Sequence, residues 1–138
     1  MRLLPMPCDP DRLSPATRAF VGDGVFELLA REYLACQANR PAKELNAAKV
    51  RLVSAPAQAA GFVRMEAHLT EEERAVFKRG RNAHTDHTPK NATHAQYHTA
   101  TGVEALFGWL YLHGRQSRAA ELFVGFFSPE NLDNPPEV

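Results

Sequence analysis

Apolar positions along the chain recur with a helical period, and no run alternates with the period of two that marks a half-buried strand. Ser14-Pro15 offers a hydroxyl to the first free amides and a proline where its missing N–H costs nothing, which predicts a helix from Pro15 to about Cys36. Gly22 and Gly24 fall inside it, each costing about 1 kcal/mol relative to alanine, so close backbone packing or a bend is expected there. The polar stretch from Gln37 to Pro41 reads as a turn, and Leu45 to Leu52 as a short, weakly amphipathic helix. Ser54 with Pro56 repeats the start signal and opens a helix through Gln58, Phe62 and Met65 toward Ala67. Thr70 and Glu73 form a capping box for a helix ending near Arg79-Gly80. Arg81 to Asn91, with Pro89, reads as a loop. Thr93 to Leu112 is again helical, carrying Tyr97, Val103, Leu106, Phe107 and Leu110 and closed by Gly114. A last helix over Ser117 to Phe127 precedes Ser128-Pro129. The expected fold is all-α and without internal repeats.

The 138 residues suit one domain. They divide into an irregular segment over 1–12, a helical domain over 13–127 and an acidic, proline-bearing tail over 128–138. Pro5, Pro7 and Pro10 interrupt the start of the chain, against a signal peptide. The most apolar stretch, Ala100 to Leu112, carries Glu104 and falls short of the roughly 20 residues that cross a bilayer. Sixteen basic residues balance sixteen acidic ones, so net charge indicates no partner and only local clustering can. Cys8 and Cys36 make no metal motif or disulfide framework, and a cytoplasmic setting is expected.

The placement of the acids changes the picture. Asp23 and Glu27 lie four apart on a largely apolar helix, and Glu104 is the only charge between Ala100 and Leu112. A desolvated carboxylate costs several kcal/mol unless it is paired, hydrogen-bonded or bound to a cation. One arrangement pairs Glu27 with Arg31 and gives Glu104 an arginine such as Arg64 or Arg74. The other brings Asp23 and Glu104 together as oxygen ligands for Mg²⁺. Spacing leaves both open.

Between Arg74 and His98 the chain carries a local excess of four positive charges, from Arg74, Lys78, Arg79, Arg81 and Lys90 against Asp86. With Asn82 and Asn91 these residues suit phosphate contacts, although a solvated loop would look similar. His84, His87, His94 and His98 crowd the same segment, and His94 and His98 could share a metal one helical turn apart. There is no HExxH order, and the serines sit at helix starts or in turns rather than in a GxSxG setting.

Together these stretches resemble the ribonuclease III endonuclease domain, and more closely its short, stand-alone Mini-ribonuclease III branch. The matching residues are Phe20-Val21-Gly22-Asp23-Gly24-Val25-Phe26-Glu27, Val53-Ser54-Ala55 with Gln58-Ala59, Glu71-Glu72-Glu73, Lys78-Arg79-Gly80-Arg81-Asn82-Ala83, Pro89-Lys90-Asn91, and Ala100 to Leu112. They span Leu13 to Leu122. The resemblance implies an all-helical homodimer that cleaves double-stranded RNA with Mg²⁺, Mn²⁺ being a possible substitute. For this branch it also implies maturation of 23S ribosomal RNA precursor and no appended double-stranded-RNA-binding domain, for which few residues follow Leu122.

The resemblance makes Asp23 and Glu104 the catalytic metal ligands, with Glu27 a weaker supporting residue and Lys78, Arg79, Arg81, Asn82, Lys90 and Asn91 the RNA contacts. Two further acids of full-length ribonuclease III are replaced here by Ala19 and Thr101. Products would carry 5′-phosphate and 3′-hydroxyl ends, and the modest charge would leave room for a ribosomal-protein helper. Three alternatives stay open: a catalytically silent RNA-binding or ribosome-associated module, a histidine-metal hydrolase, and a plain helical interaction domain.

Overall fold

A computed structural model describes residues 1–83 and 91–129, and every regular element among them is helical. Six α-helices follow one another: α1 (Pro15–Gln37), α2 (Ala42–Val53), α3 (Ala55–Met65), α4 (Glu71–Arg81), α5 (His94–Leu112) and α6 (Gln116–Phe126). Short 3₁₀ turns occupy Pro10–Arg12 and Glu66–His68.

The start signals work as read. The hydroxyls of Ser14 and Ser54 accept from the amides of Thr17 and Ala57, and the Thr70/Glu73 capping box is complete. A second capping box, Thr93 with Gln96, opens α5. Gly114 adopts φ 74° where α5 ends, the left-handed conformation that glycine takes most cheaply. Two expected spans are longer than read: α2 starts at Ala42, and α4 runs on to Arg81.

α5 is the central element, packed against α1, α3 and α4. Its crossing with α1 is backbone on backbone. A Cβ at Gly22 would lie 1.5 Å from the Glu104 carbonyl oxygen, and one at Gly108 would lie 2.0 Å from that of Arg18. Gly22 therefore shows the expected close packing, whereas a Cβ at Gly24 would meet nothing within 4 Å. The crossing with α4 is also tight: a Cβ at Gly80 would come within 2.5 Å of Ala105 Cβ.

The core beneath these crossings is aromatic. Phe26 meets Phe107, Phe123 and Phe127 edge-on at 5.2–5.3 Å, and Phe62 stacks on Phe77 at 3.8 Å. Phe26, Phe107 and Trp109, whose placement in core or interface the sequence leaves open, are all buried in the core. Trp109 also donates its Nε1–H to Asp11 at 2.8 Å, which fixes the N-terminal segment to α5.

Away from this core, Arg118 of α6 bridges to buried Glu73 through bonds of 2.9 Å. Burial pushes the Glu73 carboxyl up, but Arg118 and the Thr70 cap bring it below its ordinary value. Among the described residues no helix is long and apolar enough to cross a membrane.

Candidate active site

The α1–α5 crossing sets the site. Asp23 follows Gly22, and the Glu104 carbonyl rests on Gly22, so the carboxylates of two sequence-distant helices open into one cavity of about 250 Å³. Ala16, Ala19 and Phe20 of α1, Ala83 beyond α4, and Tyr97 and Thr101 of α5 complete its wall. The positions at which the resemblance places two more acids, Ala19 and Thr101, thus line the same cavity. The Thr101 hydroxyl donates to the Tyr97 carbonyl at 3.0 Å, one turn back along its own helix.

Asp23 is exposed and Glu104 is mostly withdrawn from water. Burial pushes the Glu104 carboxyl up to about 8, helped by its hydrogen bond to Asp23 and the Asp23 charge; a hydrogen bond from Gln58 opposes this, and the Glu27 charge adds to it. Neither arginine considered from sequence relieves that charge. Arg64 donates to the Phe126 carbonyl at 2.8 Å, and Arg74 to the Glu66 carbonyl at 3.0 Å. The donor set is two hard carboxylate oxygen groups with unfavourable mutual charge, which fits a hard divalent cation.

Glu27 takes the other course. Its carboxylate accepts from Arg31 at 2.8 Å and Lys49 at 3.0 Å, and these bonds hold it below the ordinary carboxylate range. It borders the site as the anchor of a cationic pair.

The basic stretch approaches the cavity from α4. Lys78 and Arg79 are exposed on its last turn, and Arg81 lies over the Phe77 ring at 5.7 Å and donates to Asn82 at 3.2 Å. Ala83, two residues on, is part of the cavity wall. Asn91 is exposed before α5, whereas Lys90, His84, Asp86 and His87 lie outside the described residues. Arg74, counted with the patch from sequence, is turned to backbone carbonyls. His94 and His98 stack at 6.0 Å, and among the described residues no three histidine, cysteine or acidic side chains gather as a metal site.

Two residues of this region escaped the sequence reading. Arg18, 2% exposed, donates Nε–H to the Pro10 carbonyl at 2.9 Å; burial lowers its affinity for its proton, and the nearby Arg79 charge adds to that effect. Nothing in the sequence marks it. Gln58 is likewise 2% exposed, behind Glu104. It lies in one of the stretches that carries the resemblance.

Two acids at a glycine crossing, flanked by a basic helix end, define a class. The ribonuclease III domain profile matches residues 17–115, and the chain belongs to that family of metal-dependent endoribonucleases. The relatives are narrower in kind. The chain is 42% identical to Mini-ribonuclease 3 of Thermoanaerobacter sp. (strain X514), over 77% of this chain and 75% of that protein. It is 40% identical to Mini-ribonuclease 3 of Brevibacillus brevis, over 87% and 90%. A crystal structure of a Fusobacterium nucleatum protein matches the fold with a TM-score of 0.75 and 28% identity, covering 82% of this chain and 90% of that one. Within the family, these identities put the chain in the Mini-ribonuclease 3 branch.

Proposed function

We propose that this protein is a cytoplasmic, homodimeric endonuclease that cleaves double-stranded RNA with Mg²⁺ and matures 23S ribosomal RNA precursor. Its catalytic domain covers residues 13–127. The observation that carries the reading is the meeting of Asp23 and Glu104 in one cavity beside the basic end of α4. The precursor substrate follows the branch to which the relatives belong.

Asp23 and Glu104 would hold the cation, and Glu27, clamped by Arg31 and Lys49, supports the wall of α1 next to them. When bound, Mg²⁺ supplies positive charge that makes water acidic enough to act near neutral pH and offsets the negative charge of the phosphate. Lys78, Arg79, Arg81 and Lys90 neutralise backbone phosphates, while Asn82 and Asn91 direct hydrogen bonds to them. Contacts of this kind read the A-form shape and its 2′-hydroxyls rather than base sequence. Hydrolysis adds water across the phosphodiester, and departure of the 3′ oxygen leaves 5′-phosphate and 3′-hydroxyl ends. No protein nucleophile is needed.

The dimer is supported by α1. Phe20 is 82% exposed and Leu28 61%, and with Gly24 they form a stripe at four-residue spacing. Beside it lies an apolar groove of about 310 Å³ lined by Val21, Val25, Leu29 and Tyr111. One site per subunit would then cut one strand each. The balanced net charge supports modest affinity, leaving a role for a ribosomal-protein helper.

Ala19 and Thr101 on the cavity wall favour a second reading, a silent RNA-binding module of the same fold. Purified protein with Mg²⁺ is offered duplex RNA, single-stranded RNA and a 23S precursor fragment, beside Asp23→Asn and Glu104→Gln. The expected outcome is cleavage of duplex and precursor by wild type alone, with 5′-phosphate ends. An inert wild type that still binds duplex supports the silent module.

A further inference from the structure

Gln58 belongs to the stretch around Val53-Ser54-Ala55, and neither the cavity nor the basic patch uses it. It is buried on α3, which packs against α5. Its Nε2 donates to the Val53 carbonyl at 3.1 Å, and the same amide hydrogen-bonds the Glu104 carboxylate. Its own carbonyl oxygen, Oε1, is buried and accepts from no donor. An orphaned buried acceptor costs about 1–3 kcal/mol, which methionine, of similar volume, avoids. Stability alone therefore favours an apolar residue at 58. What the amide adds is an N–H presented to Glu104 from behind, since Glu104 lines the cavity and Gln58 does not.

We propose that Gln58 is a positioning residue: tethered to the Val53 carbonyl, its amide holds the Glu104 carboxylate toward Asp23 in the orientation that receives the divalent cation. This rests on the reading of Asp23 and Glu104 as the cation-holding pair. A thioether in place of the amide would leave the carboxylate free to turn and so weaken the site without opening the core.

The test compares wild type with Gln58→Met and with Gln58→Asn, which keeps an amide one methylene short of Glu104. Three quantities are measured: the unfolding midpoint in chelator, Mn²⁺ binding by electron paramagnetic resonance without RNA, and kcat and KM for duplex cleavage. Gln58→Met is expected to melt at or above the wild-type temperature. Both variants are expected to bind Mn²⁺ about tenfold more weakly and to lose about tenfold or more in kcat, with KM for RNA unchanged. Wild-type Mn²⁺ affinity and kcat in the variants, with only the melting temperature moved, would make Gln58 a packing residue and overturn the proposal. Should Gln58→Met fail to fold, Gln58→Asn carries the same comparison. A wild type that binds no Mn²⁺ overturns the cation-pair reading itself, and is distinguished by failing before any substitution is made.

Discussion

Glu104 holds its proton to about pH 8 because burial and Asp23 both disfavour its charge, and this has consequences that can be measured without RNA. The folded carboxyl binds a proton that the unfolded chain, with its ordinary value of 4.5, gives up. That stabilising contribution is complete below pH 4.5 and is lost as pH rises through 8. Glu104→Gln is therefore expected to melt close to wild type at pH 5 in chelator, and to exceed it by a few kcal/mol at pH 9. Unfolding curves at both pH values check this, and a gap that stays constant with pH would contradict it. Cation binding must displace the same proton, so Mn²⁺ affinity of the wild type is expected to fall about tenfold per pH unit below 8. Calorimetry in buffers of different ionisation enthalpy would show the proton released.

At the level of helices, the site depends on the contact between α1 and α5. A Cβ at Gly22 has no room against the Glu104 carbonyl, so Gly22→Ala must part the two helices and is expected to cost about 3 kcal/mol or more. Gly125→Ala on α6, where nothing lies within 4 Å of the new atom, is expected to leave the unfolding midpoint unchanged or raise it. Thermal unfolding of the two variants distinguishes a crossing from two helices that merely adjoin. The start signals at Ser14, Ser54 and Thr70 were legible because a cap is local chemistry, decided within four residues. So was the pairing of Glu27 with Arg31, one turn apart on one helix. Whether Glu104 would meet Asp23 or an arginine was not legible, because that choice lies in the crossing of distant helices. Arg74 was misread as part of the patch for the same reason, since its carbonyl partners belong to the turn before α4. Gly24 was misread because a glycine in a helix looks the same whether a neighbour or open space stands over it.

For the molecule as a whole, the apolar stripe of α1 and the balanced charge make separate statements. Leu28→Glu puts a charge at the centre of the stripe without disturbing buried side chains, and is expected to give a folded monomer by sedimentation where wild type is a dimer. A wild-type monomer at micromolar concentration would remove the stripe as the subunit contact. With four basic side chains in the proposed grip, log–log salt dependence of duplex binding is expected to have a slope of roughly −3 to −4 per subunit, and a slope near −10 would reveal a much larger phosphate footprint. Above both stands the pair of carboxylates. The rate of duplex RNA cleavage should be followed against Mg²⁺ concentration for wild type and for Asp23→Asn, with circular dichroism confirming that both are folded. Cleavage that requires Mg²⁺ and falls by about a thousandfold or more in the variant is the expected result. A folded Asp23→Asn that cuts as fast as wild type, or a wild type that cuts equally well in chelator, would contradict it.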